Sequence, residues 1–125
     1  PDPNAVSTFE ASRLDRSVLD DPAHADWLAH VTGLLELRRR EIVPRLDAVP
    51  GGAGEGSADG SVIRVAWRLG DGSRLALLAN LAHQAAPSGG PPEPGRTLYV
   101  RPEGAAPPGD ELPPWFVLWT LQAPS

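Results

Sequence analysis

Residues Val62 to Leu81, VIRVAWRLGDGSRLALLANL, decide the fold class. Val62 to Leu69 alternates, with Ile63, Val65, Trp67 and Leu69 on one face and Arg64 and Arg68 on the other. Such a period of two marks a half-buried strand. Leu69-Gly70-Asp71-Gly72-Ser73 follows, and its Asp-Gly chemistry suits a hairpin turn. Arg74 to Leu81 is apolar on both faces, which predicts an internal strand covered on two sides.

Downstream, Thr97 to Arg101 reads as a short strand and Trp115 to Leu121, WFVLWTL, as a closing one. Trp115, Val117, Trp119 and Leu121 share one face; Phe116, Leu118 and Thr120 share the other. The stretches Pro50 to Gly60, Ala86 to Gly95 and Pro102 to Pro114 are rich in Gly and Pro and read as loops. Four strands with turn-rich connections are the minimum for a small antiparallel sandwich. Trp67, Trp115 and Trp119 have apolar strand neighbours, so they are expected in its core.

Upstream, Asp20-Asp21-Pro22 is a helix start: an Asp caps free N–H groups, and proline is tolerated in the first turn. Trp27, Leu28, Val31, Leu34 and Leu35 then fall at helical spacing and predict an amphipathic helix from Pro22 to about Arg40. Arg38, Arg39 and Arg40 lie where cations complement the helix dipole. Pro44 is expected to end the helix by disfavouring helical geometry at Val43. Residues Pro1 to Asp21 show no periodicity and read as irregular, with Phe9 and Leu14 as anchors.

Composition narrows the function classes. The net charge is -5, and acids outnumber arginines both in the first fifty residues and in the remainder, so no clustered basic face offers itself to nucleic acid. No apolar run approaches the ~20 residues of a membrane helix, so no membrane partner is expected. There are no cysteines, hence no disulfides or thiolate metal sites, which fits a reducing cytoplasm. The chain starts at Pro1 and has no methionine, so a fragment, a trimmed product or a processed product is expected.

The side chains that could carry chemistry do not assemble a site. His24 and His30 are six apart on the predicted helix, on different faces, and cannot chelate one metal; no metal and no cofactor is expected. Asp15, Asp20 and Asp21 are the densest acids, but a glycosidase needs two carboxylates about 5 to 10 Å apart across a sugar, and capping accounts for Asp20 or Asp21. Ser7, Ser12 and Ser17 lack the context of an activated nucleophile. Gly51 to Gly60 lacks the strand, helix and lysine of a phosphate loop. No catalytic residue is therefore assigned within the chain.

Four stretches carry a family resemblance. PDPNAVSTFEASRLD (Pro1 to Asp15), LLELRRREIVPRL (Leu34 to Leu46), LALLANLA (Leu75 to Ala82) and LPPWFVLWTL (Leu112 to Leu121) resemble, in this order, late segments of the malto-oligosyltrehalose trehalohydrolases of the α-amylase superfamily. The resemblance runs the length of the chain. It implies an α+β fragment: an N-terminal loop and one long amphipathic helix, the last of a (β/α)8 barrel, followed by an all-β antiparallel sandwich domain. Residues 1–46 would end the catalytic barrel and residues 47–125 would form the C-terminal β-sandwich.

The resemblance further implies a parent glycosidase that hydrolyses the α-1,4-glucosidic bond next to the terminal trehalose of maltooligosyl trehalose. Its catalytic acids would lie on an upstream barrel, the expected partner of this chain, which alone would be inactive. Because loops at the C-terminal face of a barrel meet substrate, Asp2 and Asn4 are the substrate-binding candidates; the alternative is that they only shape the loop. The rival from another class is a non-catalytic carbohydrate-binding or interaction module. It predicts Trp115 and Trp119 exposed, where the leading reading predicts them buried.

Overall fold

The computed structural model describes residues 2–105 and 108–124. Pro1 of the N-terminal stretch, residues 106 and 107 of the expected loop after Arg101, and Ser125 lie outside the described residues. The chain divides into two compact units, residues 1–36 and 37–125.

In the first unit, helix α1 (Val6–Ser12) and a 3-10 turn (Arg16–Asp20) precede helix α2 (Pro22–Leu37). The expected irregular stretch thus contains a helix. Its start is organised by Asp2, whose carbonyl accepts the Ala5 N–H and the Thr8 hydroxyl. No apolar period marks it in the sequence, because Val6 and Phe9 both face solvent. Asp21 opens α2 as expected, its carboxylate accepting the Ala23 N–H at 2.9 Å.

The apolar stripe of α2 departs from expectation. Helical spacing predicts a packed side for Trp27, Leu28, Leu34 and Leu35, yet all four are exposed in this chain, and Val31 is half-buried. The opposite side offers weak contrast: Asp26, Thr32 and Glu36 alternate with Ala25, Ala29 and Gly33. Position on a stripe states which residues share a face; it does not supply the surface that covers them.

The second unit opens where α2 ends. Arg38–Ile42 forms a wide π-turn, with the Val43 N–H bonded to the Arg38 carbonyl, and Val43–Arg45 forms a 3-10 turn. Val43 keeps helical angles (φ -52, ψ -44) directly before Pro44, against the expected stop. The proline has no N–H and crowds the carbonyl four residues back; a widened turn is the local change that accommodates both.

Among the described residues, seven antiparallel strands follow: β1 (Gly54–Asp59), β2 (Val62–Arg68), β3 (Arg74–Asn80), β4 (Ala86–Pro87), β5 (Arg96–Arg101), β6 (Glu111–Leu112) and β7 (Val117–Gln122). The main sheet has the order β1-β2-β3-β7-β5, with β3 in its centre, as its two apolar faces predict. Strands β4 and β6 pair as a short ribbon. β1 corrects the expectation of a loop from Pro50 to Gly60. It is an exposed edge strand whose Gly54 pairs with Trp67. A Cβ on Gly54 would come within 2.8 Å of the Trp67 ring, so the indole lies over the glycine and fills the space a side chain would take.

One sheet face holds the larger core cluster. Val62, Leu78 and Leu118 pack with Leu112 and Phe116, both fully buried, and with Ala86 and Val100. Burying a Phe or Leu side chain contributes roughly 1.5–3 kcal/mol. This is the face of Arg64, for which sequence alternation predicts solvent. The guanidinium instead reaches the carbonyls of Ser88, Gly90 and Pro91 and ties the 88–95 loop over the sheet. The other face holds a smaller cluster, in which Leu69, Leu75 and Leu121 pack with Ile42, Trp67, Leu98 and Trp119. Gly70 joins the hairpin to the end of the helical segment: its N–H bonds the Arg45 carbonyl, and a Cβ there would fall 1.5 Å from the Asp47 carbonyl oxygen.

Candidate functional site

Asp2 and Asn4 meet at the start of the first unit. The Asp2 carboxylate accepts the Asn4 main-chain N–H at 2.9 Å, and the Asp2 carbonyl accepts the Thr8 hydroxyl at 2.7 Å. Both residues are exposed. The Asp2 contacts form a side-chain turn that leads into α1, so the residue shapes this loop while leaving part of its carboxylate open.

Between α1 and the 3-10 turn lies an open hollow of about 650 Å³ lined by Glu10, Arg13, Leu14, Asp15 and Arg16. The Ser17 hydroxyl and then its main-chain N–H bond Asp15 at 2.7 and 2.9 Å, and they hold its carboxyl below the ordinary range. Asp15 is thus a turn cap that stays ionised. Such a carboxylate is a poor general acid, which needs a raised pKa. Asp21 is occupied as a cap and lies 3.6 Å from His24 Nδ1. His30 sits against the Trp27 ring, with centroids 5.5 Å apart.

In the second unit, the centre of organisation is Asn80, fully buried at the end of β3. Its Nδ2 donates to the carbonyls of Gln84 (2.8 Å), Pro113 (3.0 Å) and Leu112 (3.4 Å). Its Oδ1 accepts from the Ser61 hydroxyl (2.8 Å) and the Ala82 N–H (3.1 Å). One carboxamide therefore fixes the loop after β3 beside the segment leading into β7. Its sequence signal is an Asn at the end of an otherwise apolar strand, which gives the position but not the five partners.

That segment carries Trp115, where the structure overturns an expectation. The sequence predicts Trp115 in the closing strand and in the core; it lies in the turn before β7, at φ 54, and is 62% exposed. A bulky residue with positive φ is a backbone outlier, and Pro114-Trp115 is a turn position that favours Gly or Asn. Trp119, on β7, is half-buried and stacks on Trp67 with ring centroids 5.7 Å apart at 12°. The two tryptophans whose exposure separates the readings therefore behave differently.

At the other end of β3, Arg74 bonds both Glu55 and Glu93 beside a hollow of about 310 Å³ that also takes in Ser57 and Arg64. Glu55 first, then Glu93, raise the Arg74 pKa further. Acids and guanidinium are bonded to one another here, so the cluster ties β1, β3 and the 88–95 loop together.

Comparison with known proteins places these features. The family described as "Domain of unknown function (DUF3459)" matches residues 51–119, a stretch that includes Trp67, Asn80 and Trp115. No curated relative matches the chain. A crystal structure described as a "putative alpha amylase" from Salmonella typhimurium aligns with 98% of this chain at 31% identity, with a TM-score of 0.81. The chain spans 20% of that protein's length. The helix followed by an antiparallel β-domain is thus shared with a segment of a much longer chain.

Proposed function

The chain belongs to the DUF3459 family, and from that premise we propose that it is the C-terminal accessory segment of an α-amylase-superfamily glycosidase. The observation that carries this reading is a likeness running over nearly all of this chain while covering one fifth of the Salmonella typhimurium protein. Residues 1–46 close the catalytic barrel and residues 47–125 form the β-domain behind it. The exposed stripe of α2 supports an upstream partner, since Trp27, Leu28, Leu34 and Leu35 form an apolar surface of the kind that marks an interface.

The complete enzyme is a trehalohydrolase: it cleaves the α-1,4 bond next to the terminal trehalose of maltooligosyl trehalose by a retaining two-carboxylate mechanism. The four ordered motifs support this finer assignment. Asp2 and Asn4 stand on the substrate side, where the exposed Asp2 carboxylate is held by the Asn4 main-chain N–H in the turn that leads into α1. The lack of cysteine supports a cytoplasmic location. No helix of the described residues is long and apolar enough to cross a membrane.

The test is an assay of both proteins on maltooligosyl trehalose. The complete enzyme is expected to release trehalose, and the 125-residue chain to release nothing above a blank. Maltose or glucose without trehalose from the complete enzyme would overturn the trehalohydrolase assignment; turnover by the chain alone would overturn its accessory role. The exposure of Trp115 favours a second reading, in which the β-domain also touches carbohydrate directly.

A further inference from the structure

Trp115 is the largest exposed side chain of the β-domain, and its backbone is held where a tryptophan is disfavoured. Left-handed geometry is disfavoured for an L-residue, whose Cβ crowds the neighbouring carbonyl oxygen. Burial does not offset that here, because most of the ring faces solvent. The surrounding scaffold nonetheless fixes it. The Trp115 N–H donates to the Ala82 carbonyl at 3.0 Å, the Asn80 N–H donates to the Phe116 carbonyl at 2.8 Å, and Phe116 is fully buried directly after it. Asn80 also holds the Pro113 and Gln84 carbonyls. Retained strain in an over-determined setting is a mark of a functional position.

The company of the ring indicates its ligand. The Ala82 contact brings the 81–84 loop alongside, and Leu81, His83 and Gln84 are exposed there. A rigid indole face matches the apolar C–H face of a pyranose ring. His83 and Gln84, exposed in the loop whose Ala82 carbonyl accepts the Trp115 N–H, carry an imidazole and a carboxamide that can bond sugar hydroxyls.

We propose that Trp115, with His83 and Gln84, forms a stacking subsite for α-1,4-glucan on the β-domain. The choice of α-glucan rests on the reading of the parent as an α-amylase-superfamily glycosidase. The subsite would hold one stretch of a long chain while the barrel works on its end, so it adds affinity without chemistry.

The experiment is a titration of the 125-residue chain with maltoheptaose, followed by the indole N–H resonances of the four tryptophans. Saturable binding at about 1–10 mM is expected, of the weak order that one stacked ring supports, with Trp115 the resonance that moves most. Trp115→Gly is expected to weaken binding ~10-fold or more while the fold is retained, because glycine suits φ 54. His83→Ala and Gln84→Ala are expected to weaken it a few-fold. No saturable binding, unchanged binding in Trp115→Gly, or equal binding of cellohexaose would each overturn the proposal. Self-association of the chain that Trp115→Gly abolishes, without glucan binding, would overturn it too and assign the ring to a protein interface. Trehalose release is measured on the complete enzyme, so that reading and this one can fail separately.

Discussion

Replacing Asn80 by Asp changes one heavy atom of one side chain and tests the scaffold of the β-domain. The carboxamide is fully buried and its Nδ2 faces three carbonyl oxygens, those of Gln84, Leu112 and Pro113. A carboxylate in the same place removes the donor and sets a negative oxygen against three acceptors. The bonds of its two N–H groups, at roughly 0.5–1.5 kcal/mol each, are lost, and a buried group left unsatisfied costs about 1–3 kcal/mol more. The expected loss near neutral pH is therefore about 2–6 kcal/mol, a large part of the roughly 5–15 kcal/mol that holds a domain of this size. The pH dependence gives a second readout. Burial among acceptors raises the folded pKa of the new carboxyl above its unfolded value of about 3.9. The folded state then binds the proton more tightly, so the variant is closest to wild type below the unfolded pKa. It loses stability as pH rises through the window between the two values, and above the folded value the deficit is constant. Urea unfolding followed by tryptophan fluorescence at several pH values measures both. A loss below about 1 kcal/mol, or a deficit that does not shrink on acidification, would refute the assignment of Asn80 as the clamp between the two segments.

Three further outcomes follow from the packing. Gly33 lies inside α2 with nothing within 4 Å of the place a Cβ would take, so Gly33→Ala is expected to stabilise the chain by about 0.5–1 kcal/mol in thermal unfolding; destabilisation would show that a neighbour approaches the helix there. Asp71 is held below the ordinary carboxylate range first by the Ser73 hydroxyl, then by the Ser73 N–H, with Arg45 adding attraction. Its contribution is present above the unfolded pKa and lost as pH falls through the folded one, so Asp71→Asn should flatten the acid limb of the stability profile, and an unchanged limb would count against the Arg45–Asp71–Ser73 contact. Leu34 is 36% exposed in this chain, so Leu34→Ala is expected to cost less than about 1 kcal/mol here and, if the proposed upstream barrel covers it, roughly 2–5 kcal/mol in the complete enzyme; equal losses in the two proteins would remove the support that the α2 stripe lends to an upstream partner.

How far the sequence can be read depends on where each feature's information lies. Period two and the Asp-Gly turn locate β2, the hairpin and β3 to within a residue, because a strand with one buried face must alternate and a tight turn needs particular residues. Asp21 and Pro22 mark the start of α2 for a similarly local reason. The edge strand β1 is illegible: it is stabilised by pairing with β2 and by the Trp67 ring over Gly54, while its own composition, GEGSAD, favours a loop. The β4/β6 ribbon joins segments 24 residues apart, each too short to show a period. Asp2 and Asn4 stand out in the sequence, but the turn that joins them is visible only in three dimensions.

The tryptophans show the division most clearly. Trp115 and Trp119 share one alternating pattern, and alternation alone puts both inside. The chain leaves strand geometry at Pro114-Trp115, because Asn80 and Ala82 hold that segment from another part of the molecule, and one indole turns out to solvent while the other stacks on Trp67. Sequence by itself determined which segments are the central strands and the long helix, since those follow from local periodicity and turn chemistry. Tertiary structure decided which faces are covered, which arginine faces a loop and which tryptophan is presented, since burial is a property of whatever packs opposite and is not encoded in any one segment.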